Sequence, residues 1–257
     1  MDKSDLVGLR RELNVFLNEF RDCFLTDATA GHLGVYVRGQ LGPLPRKRVE
    51  PIALDAGVAP RTLQEFLSLH RWDQERMKRR VREVVARDHA DPDGIMIVDD
   101  TAFAKKGDMT VGVQRQYCGA TGKVDNCVVA VHLGYVTPDF HALVDGDLYL
   151  PRETWIEKPE KREKAEVPTE ATFRPKWKIA LDLLDRTLGD GVSARWLTTD
   201  EGYGEVPDFL DGVAARGLLY VAEIPRSVQG WTERGLARGK ERRRVEKLWT
   251  RGGPAWE

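Results

Sequence analysis

Gly94-Ile95-Met96-Ile97-Val98-Asp99-Asp100-Thr101-Ala102-Phe103-Ala104-Lys105-Lys106-Gly107 is the stretch on which the fold turns. Four apolar residues, Ile95 to Val98, follow the breaker Asp91-Pro92-Asp93-Gly94 and run into two adjacent carboxylates, which reads as a buried central strand ending on charge. Buried carboxylates are costly unless a cation compensates them. A strand entering an ordinary polar turn would give the same local pattern. A second stretch weighs against that plainer reading: Trp196-Leu197-Thr198-Thr199 also runs into acid, Asp200-Glu201, followed by Gly202-Tyr203-Gly204.

The 257 residues suffice for one large domain or two smaller ones. Charged residues make up 32% but the net charge is -1, so overall charge names no partner. Basic residues do cluster, at Arg46 to Arg48, at Lys78 to Arg80 with Arg82, and from Lys240 to Arg244, although such runs are more often solvated faces than binding sites. Cys23, Cys118 and Cys127 form neither a disulfide framework nor a zinc motif. The start MDKSDLVGL carries no signal-peptide pattern and no apolar stretch is long enough for a bilayer, so a soluble, cytoplasmic protein is expected.

Ahead of the first stretch the period is helical. Leu6, Leu9, Leu13, Phe16, Leu17 and Phe20 predict an amphipathic helix, and a second from about Thr29 ends at Gly42-Pro43. The run Val49 to Leu67 has a helix, a tight turn at Ala56-Gly57-Val58 and a helix opened by Pro60, the layout of a helix-turn-helix. Arg61, Thr62 and Gln64 would then stand near the start of a recognition helix, as DNA-binding residues. A plain helical hairpin has the same signature. A further helix, from Asp73 to about His89, carries one dense Lys/Arg face.

Beyond Gly94 the period becomes extended: Val111 to Cys118, Asn126 to Tyr135, and Phe140 to Leu150, joined by short turns that make antiparallel neighbours. Pro151 to Pro168 has no apolar period and reads as a surface loop. A helix from about Lys176, the strand at Trp196, a helix from about Val206 and a strand at Leu218 alternate, which demands parallel pairing. The expected class is α/β: a ribonuclease-H-like mixed sheet, three antiparallel strands then parallel ones, preceded by an all-helical N-terminal domain. The expected divisions are 1–90, 91–230 and a basic segment 231–257.

That topology sets the Asp99 strand beside the Asp200 strand. Asp99 or Asp100 would converge with Asp200, and like charges at short range call for a hard cation, Mg²⁺ or Mn²⁺. The catalytic and metal-binding candidates are therefore Asp99, Asp100 and Asp200. Lys105, Lys106, Gln114 and Arg115, around the following hairpin, are placed to meet DNA backbone, or are ordinary hairpin residues.

The strings IMIVDDTAFAKKG, VGVQRQYCGATGKVDNCVVAV, LYLPRETW and LTTDEGYGEVPDFLDGVAARGLLYVAEIP resemble insertion-sequence transposases of the IS701 type, in the DDE superfamily. The resemblance implies a ribonuclease-H-like core that cuts and rejoins double-stranded DNA at transposon ends and target, with two Mg²⁺ ions held by Asp, Asp and Glu. It makes Asp99 the preferred first acid and Asp200 the second, and admits a homodimer. The third acid implied is a Glu on a helix beyond a further β-rich stretch, and nothing before Glu257 matches it. A truncated product is thus expected, with DNA binding retained and cleavage impaired. The alternative is a non-catalytic DNA-binding remnant or inhibitor of transposition.

Overall fold

The computed structural model describes residues 3–230 and 243–244, so the expected segment 231–257 lies almost wholly outside the described residues. The chain divides into two compact units, Met1–Val84 and Val85–Glu257, a division that falls ahead of the Asp91–Gly94 turn.

In the first unit the regular elements are helices: α1 (Lys3–Asn18), α2 (Asp27–Leu41), α3 (Val49–Asp55), α4 (Pro60–Ser68) and the greater part of α5 (Gln74–Asp88). Thr26 caps α2 by accepting the Thr29 amide, and Pro60 opens α4, where its missing donor costs nothing. Between α3 and α4, Gly57 takes φ 67°, and the Val58 amide closes onto the Ala53 carbonyl at 2.8 Å. A side chain at Gly57 would strain that turn. Phe20, Phe24, Ile52, Leu63 and Phe66 form the core. α1 is covered in part: Leu13 and Leu17 are half-buried and Phe16 meets the Phe20 ring edge-on, while Leu9 and Phe16 remain exposed.

The second unit is built on a six-stranded sheet of order β2-β3-β1-β5-β6, with β4 also on β3. Its strands are β1 (Ile95–Ala104), β2 (Gln114–Cys118), β3 (Lys123–Val136), β4 (His141–Leu148), β5 (Trp196–Thr199) and β6 (Leu219–Ala222). β3 is long enough to serve two partners on one edge, β2 along its first half and β4 along its second, while β1 lies antiparallel on the other edge. β1, β5 and β6 run parallel. The result is a mixed sheet with helices, antiparallel at one end and parallel at the other; all four strands read between Ile95 and Leu150 are present, so the antiparallel part has four members where the expected order counted three.

Two further differences matter. β1 does not stop at Val98 but continues through both carboxylates to Ala104, because β3 pairs with it along its whole length. The span expected as a loop is partly folded: a wide helical turn at Arg152–Ile156 buries Trp155, whose indole donates to the Val113 carbonyl at 2.9 Å, and α6 (Pro159–Lys164) follows.

α7 (Lys176–Gly189), the single turn α8 (Glu201–Gly204) and α9 (Pro207–Ala215) complete the described helices. Ile179, Leu183 and Leu184 of α7 pack with Met96, Val98, Val131, Leu133 and Leu197 from the sheet, and Phe209 and Val213 of α9 join them. A two-residue pairing, β7 (Gln229–Gly230) with β8 (Arg243–Arg244), stands apart.

Candidate active site

β5 runs beside β1 with Val98 level with Thr199, so the next residues, Asp99 and Asp200, emerge together at neighbouring strands. Met96 and Val98 are buried against the helices, and alternation turns Asp99 to the other face, where it is exposed. Thr199 is buried likewise, and Asp200 beyond it is exposed. Asp200 caps α8, its Oδ1 accepting the Gly202 amide at 3.1 Å. The carboxyl of Asp99 accepts the Asp100 amide at 2.7 Å.

Burial pushes the Asp200 carboxyl above the usual carboxylate range, and the charge of Asp99 pushes it further; the Gly202 amide works the other way, and Asp100 adds a smaller push upward. A carboxyl raised by burial and then by a neighbouring carboxylate is one beside which a cation would be welcome.

Asp100 has different surroundings. It points to the α7 side of β1, where Lys176 Nζ donates to Oδ2 and Tyr203 Oη donates to Oδ1, each at 2.5 Å. Both of its oxygens are thus engaged by side chains of the protein. Tyr203 is buried, and its phenol is pushed up first by that burial and then by the neighbouring Asp100 charge.

The partners of Asp100 are held from behind. Arg186 of α7 donates to Asp145 at 2.8 Å and to Asp147 at 3.2 Å, and Arg174 reaches Asp147 and Asp182, so α7 is bolted to β4 by charge-assisted bonds. Gly204 ends the turn that carries Tyr203. A Cβ there would lie 1.9 Å from the Glu223 carbonyl oxygen, so close approach to the chain after β6 is what requires glycine. Gly202 and Gly204 both lie in this single helical turn directly after Asp200.

The other sequence candidates fall as follows. Lys105 and Lys106 are exposed just after β1, in a loop pinned by Asn126, whose amide donates to the carbonyls of Lys105 and Gly107 at 3.0 and 2.7 Å. Arg115 is exposed on β2, whereas Gln114 is half-buried and bonded to Gln116 and Thr154. In the first unit, Arg61 and Gln64 are exposed on α4 and Thr62 is half-buried; Arg61 pairs with Glu65 at 2.7 Å. Sequence reasoning gave neither Lys176 nor Tyr203 a part in the contact with Asp100. The position of Lys176 in the first turn of a helix after Pro175 was the available signal.

Among the described residues, no three His, Cys, Asp or Glu side chains are grouped as a ready metal site, and no helix is long and apolar enough to cross a membrane. A family model described as "DDE superfamily endonuclease" matches residues 19–248, and the chain belongs to that family of enzymes. Among curated proteins it is similar to the "Probable transposase for insertion sequence element IS701" of Microchaete diplosiphon, 29% identical over 188 residues. That match takes in 72% of this chain but 46% of the relative, so the chain spans less than half the length of the relative it matches. The resemblance to IS701-type transposases read from the sequence is borne out.

Proposed function

We propose that this chain carries two of the carboxylates of a DDE-type transposase centre, Asp99 and Asp200, and acts in metal-dependent cleavage and transfer of DNA strands. The observation that supports this most directly is the level register of Val98 and Thr199, which brings the two acids out side by side on parallel strands. The raised Asp200 carboxyl fits the reading, since an oxygen-ligand cation such as Mg²⁺ or Mn²⁺ suits two crowded carboxylates. When bound, such an ion supplies Lewis-acid polarisation of a phosphodiester oxygen. The protein's own part is to hold both acids on rigid strands and to keep Asp100 on the opposite face.

Double-stranded DNA, transposon ends and target, is the proposed substrate. Lys105, Lys106 and Arg115 would meet backbone phosphate near the acids, while Arg61, Thr62 and Gln64 would read duplex from the helix-turn-helix. Gln114 supports the hairpin through Thr154 rather than offering a free amide. We propose the 1–90 region as the helical DNA-binding part, 91–230 as a ribonuclease-H-like core, and a homodimer as the assembly.

A second reading is a DNA-binding protein without cleavage. It is favoured by the lack, among the described residues, of a group of three His, Cys, Asp or Glu side chains placed to hold one metal ion. One preparation separates the two. Mg²⁺- or Mn²⁺-dependent nicking of supercoiled plasmid that disappears in Asp200→Asn supports the first. Filter retention of duplex DNA with no nicking under either metal supports the second.

A further inference from the structure

We propose that Asp100 is not a metal ligand but the hub of a clamp, with Lys176 and Tyr203 as positioning residues that hold the Asp99/Asp200 pair in place. This rests on the reading of Asp99 and Asp200 as the cation-holding acids. The clamp joins three elements. Asp100 belongs to β1, Lys176 opens α7, and Tyr203 lies in α8, the turn capped by Asp200. Both short bonds to Asp100 span long stretches of chain, 76 residues to Lys176 and 103 to Tyr203.

The geometry gives each member a task. Tyr203 ties the turn that begins at Asp200 to the strand that bears Asp99, so the separation of the two acids is fixed by a side-chain bond as well as by the sheet. Its ring is seated against Phe209, 5.3 Å between centroids, and cannot swing freely. Lys176 balances the charge of Asp100, so the third carboxylate of this crowded region is compensated from within. The Asp100 amide in turn donates to Asp99, orienting the first acid from its own neighbour. For Asp100 to ligate an ion beside Asp99 it would have to leave the face it occupies and loosen its bonds to Lys176 and Tyr203. A charged acceptor with two charge-assisted or short donors does not surrender them cheaply.

The test is Mn²⁺ titration of the full chain, followed by electron paramagnetic resonance. Asp99→Asn and Asp200→Asn should each weaken Mn²⁺ binding tenfold or more and alter the bound line shape. Asp100→Asn, Tyr203→Phe and Lys176→Met should weaken it about threefold and keep the wild-type line shape, because the ligand set is unchanged. Lys176→Arg should restore the affinity that Lys176→Met removes. The double variant Asp100→Asn with Tyr203→Phe should be no weaker than the worse single one, since both remove one bond. Tyr203→Phe and Lys176→Met carry the test should Asp100→Asn fail to fold. If Asp100→Asn abolishes binding while Asp99→Asn spares it, the clamp is wrong and the two-acid site stands with Asp100 as its ligand. If wild type itself binds no Mn²⁺, the proposed site falls and the clamp with it.

Discussion

Thr199 donates its hydroxyl hydrogen to the Val98 carbonyl at 3.2 Å, across the parallel strands whose next residues are the two acids. The bond is buried, with Thr199 at 6% exposure, and it sits at the last paired position of β1 and β5. Thr199→Val keeps the shape and removes the donor, at a cost of about 0.5–1.5 kcal/mol. Hydrogen exchange of the β1 peptide around Val98 should accelerate in Thr199→Val and stay near wild type in Thr199→Ser. Equal exchange in the two variants would show that the hydroxyl does not hold the register.

The Arg186–Asp145 pair should be a larger contributor. The Asp145 side chain has no exposed area, and Arg186 supplies it a bond at 2.8 Å. Burial works against the Arg186 charge, but the two aspartates outweigh it and hold its guanidinium firmly protonated. Arg186→Met leaves a buried carboxylate short of its cation, and breaking such a pair costs about 3–5 kcal/mol. The urea midpoint should fall sharply in Arg186→Met and recover in part when Asp145→Asn is added. A double variant no more stable than the single one would mean that Arg186 acts by packing alone.

Much of this arrangement was legible in the sequence, and the exceptions have physical causes. The strand beginning at Ile95 and the one at Trp196 declared themselves by short apolar runs ending in acid. Their parallel pairing followed from the alternation of strands and helices. The end of β1 was not legible, because Thr101 to Ala104 is held by the length of β3 rather than by any pattern of its own. Which of Asp99 and Asp100 lies on the helix side of the strand was closed to sequence reasoning for a related reason. Ile95 to Val98 is apolar at every position, so nothing in the run shows which alternation faces the helices; the burial of Met96 and Val98 does. Lys176 could be placed at the start of a helix, but its partner, 76 residues away, could not be read. Trp155, a lone aromatic in a polar span, gave no period to read, yet it anchors the turn.

Stability should depend on pH through Asp200. Its carboxyl is raised in the folded chain, first by burial and then by Asp99, so the folded state holds that proton more tightly than the unfolded one. The contribution is therefore fully present below the ordinary carboxylate pKa and is lost as pH rises through the higher folded value. Asp200→Asn removes the penalty, and it should be more stable than wild type at neutral pH, with the gap closing in acid. The group is partly open to solvent, so the gap should be small and should shrink further with salt. Denaturant midpoints across a pH series check this; a gap that widens in acid would reverse the assigned sign.

Duplex DNA binding should be carried in part by α4. Among the described residues Arg61 is held only by Glu65 one turn on, and an exposed pair of this kind is worth little, so its guanidinium can be exchanged to a phosphate at little cost. Gln64 stands exposed on the same short helix, which Gly57 and Pro60 fix at its start. A cation that neutralises one phosphate steepens the fall of log affinity with log salt by about 0.9, through the counterion it releases. Arg61→Ala should therefore bind duplex DNA more weakly at low salt and show a slope shallower by about that amount. Gln64→Ala should change the preference among sequences and leave the slope unchanged, because an uncharged amide releases no counterion. Retention of labelled duplex across a salt series measures both. An unaltered slope in Arg61→Ala would remove α4 from the DNA interface and leave the exposed Lys105, Lys106 and Arg115 as the cations to test next.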